Sequence, residues 1–363
     1  MKKVISIFLS LIIISSAILF TKVAHAASFA PGTLYYVPVT ITNSQSTATP
    51  TNFQAQVTVN SSLYTSYLAS NLSNVNWQDG AGNILNSWLE SGNSNSATAS
   101  VYWVKLPNGI PANSSVTVYL CFYATSANNF NTTNTGEAPT LSGTYGQYDD
   151  GANVFSFYNN FSGTSLPSGW TLQSGVSASV NNGVTVSNPA GNTWAGMYNS
   201  YSVSSPMVVD GYLKSITNGY SGILLGNTGS PTTNPNSWWV LEGNLWQAYM
   251  NSGSVSVTGG SSSNNTLYIV TGVDANNTAV QANYTTQASG SGTAPSTEAL
   301  GVGSYPTGST SSVFVQWLRT RAYPPNNTMP LDSFGSVTPV SNHSFHKVIL
   351  ISLNFKPEHS TLV

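Results

Sequence analysis

Val116-Thr117-Val118-Tyr119-Leu120-Cys121-Phe122-Tyr123 decides the fold class. Strand side chains alternate between faces, so Val116, Val118, Leu120 and Phe122 take one side and Thr117, Tyr119, Cys121 and Tyr123 the other. Both sides are largely apolar, which predicts a central strand. On either side of it, short β-branched and aromatic runs alternate with Gly, Pro, Asn and Ser clusters. Helical periodicity is almost absent after residue 26. This is the pattern of an all-β chain, read here as two antiparallel β-sandwich domains.

Residues 34–146 form the first expected domain. Tyr35 to Ile41 opens it, with Pro38 suggesting an edge strand. Phe53 to Val59 follows, and Leu63 to Leu72 fits one short helix. Asp79-Gly80-Ala81-Gly82 reads as a turn between Val75-Asn76-Trp77 and Ile84 to Leu89. Ser126 to Gly146 is polar and aperiodic, and reads as a linker or long loop. The second domain is expected over 148–339. Its hairpins are predicted at Asn218-Gly219, at Glu242-Gly243-Asn244 and at 274–277. Val313 to Tyr323 is its last long strand, and Ser333 to Val337 is expected to close the sheet.

The two ends differ from the middle. Lys2 and Lys3, an apolar Val4–Phe20 stretch and Ala24-His25-Ala26 read as a cleavable signal peptide over 1–26, with an uncleaved membrane anchor as the alternative. That predicts a secreted or cell-surface protein. Residues 341–363 hold three of the four His in the chain and read as a disordered tail. His343 and His346 are a metal pair only if a third ligand exists, and no such cluster is visible.

Charge is scarce, at 6% of residues. Between Ala27 and Val340 the cations are Lys105, Lys214, Arg319 and Arg321, against ten acids. Without a basic patch, nucleic acid is excluded as a partner. Ser, Thr, Asn and Gly take the place of charge, as in a surface hydrated without ionising. Glycan acceptors are expected among Asn60, Asn71, Asn113, Asn131, Asn160, Asn264, Asn276, Asn283, Asn326 and Asn342. An acidic habitat, where carboxylates are neutral, fits the same composition. Lone Cys121 rules out an intrachain disulfide and reads as a small buried apolar side chain.

The order Tyr35–Asn43, Asn76-Trp77-Gln78-Asp79-Gly80, Ser87-Trp88-Leu89-Glu90-Ser91, Val101 to Pro107 and Ile110-Pro111-Ala112-Asn113-Ser114-Ser115 resembles the domain-of-unknown-function 2341 family over about 34–146. That family occurs on secreted and cell-surface proteins, often archaeal or bacterial. It has no assigned activity and no catalytic residues to carry over. Its frequent companion is a concanavalin-like, laminin-G-like sandwich. Phe155 to Trp170, Gly211 to Lys214, Gly222 to Leu225 and Trp317 to Pro325 are similar to that region. The resemblance implies a concanavalin-like jelly roll that commonly binds carbohydrate.

Catalytic chemistry finds little purchase. Glycoside hydrolysis needs two carboxylates about 5–10 Å apart, and no Glu-x-Asp-x-x-Glu strand exists. No His lies between Ala26 and Asn342 to serve as a base. The expected catalytic set is therefore empty, and so is the metal set. Asp149-Asp150-Gly151 has the hard oxygens for a Ca²⁺, or is simply an Asp-Gly turn. Binding is expected from aromatic rings. Trp238, Trp239, Trp246 and Tyr249 gather at one hairpin, where Trp238 and Trp239 face oppositely. Trp317, Arg319, Arg321 and Tyr323 share a strand face. They form either a platform for an acidic sugar or an internal pairing with Asp149, Asp150 or Asp332. The leading expectation is a non-catalytic adhesion module for carbohydrate or a neighbouring surface protein. A coat or appendage subunit is the alternative, and a hydrolase with an atypical site is third.

Overall fold

The computed structural model describes residues 27–341, apart from 190, 218, 227–234, 243, 251–254 and 294–296. The expected signal peptide, Asn342, the His343/His346 pair and nearly all of the tail lie outside the described residues.

The first sandwich is built from β1 (Tyr35–Asn43), β2 (Phe53–Val59), β3 (Val75–Gln78), β4 (Ile84–Leu85), β5 (Ser87–Ser91), β6 (Ser100–Leu106), β7 (Ser114–Phe122) and β8 (Thr135–Glu137). One sheet runs β1-β7-β3-β4 and the other β2-β6-β5-β8. The central position expected for 116–123 is the observed one, since β7 is flanked by β1 and β3. Val37, Val39, Ile41, Val118 and Leu120 bury their alternate side chains against Phe53, Val57, Leu89, Tyr102 and Val104 of the facing sheet. Cys121, on the opposite face of β7, is also buried and its thiol is pushed well up by burial, so it is inert.

Four expectations fail here for identifiable reasons. The 63–72 stretch holds only a 3₁₀ turn at Ser61–Tyr64 rather than a helix. The presumed linker contributes β8, which runs parallel to β5 and buries Glu137. Its three polar-looking residues carry no periodicity to read. Pro38 does not mark an edge, because β1 has partners on both sides. β24 (Leu331–Phe334) and β25 (Thr338–Pro339) both pair with β1. The ladder breaks between them opposite Pro38, whose carbonyl accepts from Gly335 N at 2.8 Å. The N and O of one residue in an antiparallel strand point to the same side, so the missing N–H faces that break in the ladder. Ser333 to Val337 accordingly closes the first sandwich and not the second.

The second sandwich comprises β9 (Phe157–Asn159), β10 (Trp170–Leu172), β11 (Ser177–Val180), β12 (Val184–Asn188), β13 (Ala195–Val203), β14 (Met207–Ser215), β15 (Tyr220–Gly226), β16 (Ser237–Glu242), β17 (Leu245–Met250), β18 (Val255–Gly259), β19 (Tyr268–Asp274), β20 (Asn277–Ala282), β21 (Thr285–Ser291), β22 (Glu298–Tyr305) and β23 (Ser311–Ala322). One sheet runs β10-β13-β22-β15-β16-β17-β18. The other runs β11-β12-β23-β14-β19-β20-β21, with β9 also on β23. The hairpin predicted at 218–219 is not one. β14 and β15 lie in different sheets, so the turn crosses the sandwich. The β16–β17 and β19–β20 pairs are hairpins as read.

The core between these sheets holds Ile223, Leu225, Trp239, Leu241, Trp246 and Leu300 from one side and Val209, Leu213, Val270 and Val315 from the other. Gly272 on β19 is the socket for Trp239. A Cβ there would sit inside the indole, whose Nε1 donates to Thr278 Oγ1 at 3.1 Å. Gly272→Val overfills this site. The expected cost is on the order of 1–3 kcal/mol or more, read as a lowered urea midpoint; an unchanged midpoint would contradict the packing.

Candidate functional site

Three groups of functional side chains emerge. The first is an aromatic trough on the outer face of the seven-stranded sheet. Its residues are Trp194, just before β13, Tyr220 on β15, Trp238 on β16, Gln247 on β17 and Tyr305 on β22, around a space of about 260 Å³. Every one of these side chains is half-buried. Alternation explains the placement, since the inward positions beside them are Ser221, Ile223, Trp239, Ala248 and Ser304. Trp238 stacks on Tyr249 at 3.9 Å and 14°, and its Nε1 donates to Gln247 Oε1 at 2.9 Å. Trp194 lies 5.0 Å from Trp238 and 5.6 Å from Tyr305. Tyr220 meets Tyr305 edge-on at 5.8 Å. Beside that pair, Gly196, Gly303 and Gly222 stand opposite one another on β13, β22 and β15. A Cβ at any of them would strike the neighbouring strand. The trough thus borders bare backbone, with rings held in fixed orientations around it.

The second group answers the question left open for the last strand. Trp317, Arg319 and Arg321 do share a face, but it is covered by the first sandwich. Arg319 is fully buried and Arg321 is 5% exposed. No exposed platform exists there, and the partners are not Asp149, Asp150 or Asp332. Arg319 Nε donates to Asp210 Oδ2 at 2.9 Å, and Nη2 donates to Glu90 Oε2 at 2.8 Å and to the Tyr284 hydroxyl at 2.8 Å. Arg321 Nε donates to the same Asp210 oxygen at 2.8 Å. Glu90 Oε2 also accepts from Trp103 Nε1 at 2.9 Å and from the Tyr284 hydroxyl at 2.5 Å. Trp88, Trp103, Phe155 and Trp317 box the Arg319 guanidinium at 4.3–5.2 Å. Burial alone would raise the Asp210 carboxyl, but Arg321 and Arg319 outweigh it and hold it below its ordinary value. Burial likewise opposes charge on Arg319, and Tyr284, Asp210 and Glu90 overcome it. Tyr323 packs half-buried beside Val273, Ala275 and Ala279. Trp239 and Trp246 are core residues, fully buried. Of the residues expected to touch a ligand, Trp238 is the one in the trough.

The third group is carboxylic. Asp149 accepts from Trp88 Nε1 and Gly151 N through Oδ1, and from the Tyr158 hydroxyl and Asn160 Nδ2 through Oδ2. Four donors fill its oxygens in this conformation. Neither oxygen of Asp150 has a partner, and burial, then Asp149, push its carboxyl up to about 8. Among the described residues no three His, Cys, Asp or Glu come together as a metal cluster. Burial, with Asp274 adding, pushes Glu298 up to about 8; burial pushes Asp274 to about 6.

The glycan acceptors sort by use of the side-chain nitrogen. Asn160 gives its nitrogen to Asp149, and Asn131 gives its own to Asn129 O and Asn134 Oδ1. Neither is presented for modification. Asn326 donates to Gln45 Oε1, although it is exposed. Asn71, Asn113, Asn276 and Asn283 are exposed, while Asn60 and Asn264 are half-buried. Among the described residues no helix is long and apolar enough to cross a membrane.

Sequence reading missed Trp194, Tyr220, Gln247 and Tyr305. They come from four separate strands or strand ends, and only the β13-β22-β15-β16-β17 order assembles them.

Comparison with known proteins covers parts of the chain. Uncharacterized protein 562 of Sulfolobus islandicus rod-shaped virus 1 is 41% identical over 124 residues, which is 34% of this chain. The chain spans about a fifth of that relative, 21% of its length. Among solved structures, an apo Crh5 transglycosylase superposes with a TM-score of 0.36 and 11% identity, over 47% of this chain and 85% of that one. The carbohydrate-binding module CBM66 from Bacillus subtilis gives 0.32 and 9%, over 42% and 96%. A Bacillus licheniformis β-glucanase gives 0.31 and 12%, over 46% and 97%. Superpositions this partial say nothing about what the chain binds. Residues 71–173 match the family described as Domain of unknown function (DUF2341), so the family resemblance read in the first sandwich holds from Asn71 and runs on through β10.

Proposed function

We propose that this chain is a non-catalytic, secreted or surface-displayed module that binds a neutral glycan in the trough of the seven-stranded sheet. One observation carries this reading: Trp194, Tyr220, Trp238 and Tyr305, all half-exposed, converge around one space with the Gln247 amide at its side. Ring faces offer apolar area to the C–H faces of sugars, while an amide matches hydroxyls. Among the described residues that line the trough, none is charged.

Contact rather than turnover is the reading of the remaining chemistry. Asp210 is sealed and neutralised by two arginines, Asp149 is saturated, and residues 27–341 contain no His. Trp238→Ala is expected to leave the melting temperature within a few degrees of wild type. On a glycan array, affinity for the bound glycan is expected to fall about tenfold or more, the equivalent of about 1.4 kcal/mol. Unchanged binding by both Trp238→Ala and Trp194→Ala would remove the trough as the site. Concentration-dependent assembly on sizing chromatography, without glycan binding, would favour the coat-subunit role instead.

A further inference from the structure

A second cavity, of about 470 Å³, opens between the two sandwiches. It falls within the roughly 300–1,000 Å³ common for small-molecule sites. We propose that it is a separate binding site for one neutral sugar ring. It lies over the eight-stranded sheet, on the opposite face of the second sandwich from the trough, and does not depend on the trough reading.

The floor sets the ligand's chemistry. Glu90 borders the cavity and is only 7% exposed. Its Oε2 is saturated by Trp103, Tyr284 and Arg319. Oε1 takes none of these donors. A carboxylate oxygen accepts only, so whatever meets it must donate a hydrogen bond. A cation would satisfy that demand, but the field does not select one. Glu90 and Asp210 are balanced by Arg319 and Arg321 within one contiguous network. A neutral hydroxyl is the better match, because it gives the hydrogen bond without an uncompensated charge.

The walls set the ligand's shape. Tyr212 stacks on Trp317 at 5.7 Å and 28°. Ile269 on β19 and Leu267 just before that strand stand half-exposed beside them. From the first sandwich come Val101 and Ala138, and the exposed Ser91 and Thr140 at the rim. An apolar wall, a buried acceptor below and hydroxyls at the lip fit a ring with one C–H face and an equatorial fringe of hydroxyls. Because both sandwiches line it, the site exists only while they are docked.

The test uses methyl β-glucoside, methyl α-mannoside, methyl β-galactoside and N-acetylglucosamine as single-ring probes, with tetramethylammonium as the cationic control, read by saturation-transfer NMR and calorimetry. At least one sugar is expected to bind wild type and Trp238→Ala alike. Leu267→Trp, which fills the mouth without touching the Arg319 network, is expected to weaken that binding at least tenfold. Should that variant unfold, Thr140→Trp at the exposed rim replaces it, with the same expectation. The proposal falls if no sugar binds, if neither bulky variant weakens binding, if Trp238→Ala alone abolishes it, or if tetramethylammonium binds where sugars do not.

Discussion

Arg319→Met is expected to cost about 3–5 kcal/mol of stability at pH 7, the usual penalty for stranding one half of a buried ion pair. Asp210 has no exposure at all and would keep only Arg321 and Thr271 Oγ1 as partners, the latter at 2.7 Å. Glu90 would keep Trp103 and Tyr284 but lose its cation. The arginine also joins the two sandwiches, because Asp210 lies on β14 and Glu90 on β5. Loss should therefore split one unfolding transition into two, the first reporting release of the sandwiches from each other. Other cross-links remain, such as Ala322 N to Gln54 Oε1 at 2.9 Å and Gln54 Nε2 to Val154 O at 3.1 Å. Those two are neutral, and among the described residues no other ion pair joins the sandwiches. The penalty should shrink in acid, where the stranded Asp210 carboxyl can take up a proton. Arg319→Lys should not restore the wild-type midpoint, since an ammonium cannot span Asp210, Glu90 and Tyr284 with a planar fork. A wild-type urea midpoint for Arg319→Met would show that the network contributes nothing.

Stability is expected to fall as pH rises from about 4 to 8, the reverse of the usual maximum between about pH 5 and 8. Asp150 and Glu298 are pushed to about 8 and Asp274 to about 6, in each case chiefly by burial. The ordinary values of these groups are 3.8 for Asp and 4.5 for Glu. Between the ordinary and the raised value the folded chain holds more protons than the unfolded one, so raising the pH favours unfolding. Below the ordinary values both states are protonated and the contribution is complete. Each tenfold difference in proton affinity is worth about 1.4 kcal/mol, so even one of these groups contributes a few kcal/mol to the trend. Asp210 works in the opposite direction. Its depressed carboxyl contributes stability that is lost as pH falls through the acid range, which sets the low-pH limit. Thermal melts at pH 4, 6 and 8.5 would show the trend. Glu298→Gln and Asp150→Asn, which mimic the neutral acid, should flatten it. A melting temperature that rises towards pH 8.5 would disprove the assignment.

Both effects come from burial that sequence cannot display. Asp210 sits in Val208 to Leu213 as an ordinary polar position of an alternating strand. Glu90 is 120 residues away in chain order. Only the face-to-face packing of β5 and β6 on β14, β19 and β23 removes both from water and brings Arg319 between them. The same holds for Asp150, a residue of an Asp-Gly turn by sequence but a carboxyl with unpartnered oxygens in the fold.

What the residues determined alone is the local grammar. The two-residue alternation in 116–123 placed β7 at the centre of its sheet. The opposed faces of Trp238 and Trp239 followed from the same rule, with one indole in the trough and the other against Gly272. The Asp79 turn closed as its composition required, with Asp79 Oδ1 accepting from Ala81 N and Asn83 N at 2.9 Å. These features depend on neighbours a few residues apart, so pattern suffices. Tertiary structure decided which strands share a sheet. The step from β14 to β15 looked like a hairpin and crosses the sandwich, and 331–339 returned to β1 of the first sandwich. Sheet membership is set by burial of faces over long separations, where many pairings satisfy the same alternation and only the packed whole selects one.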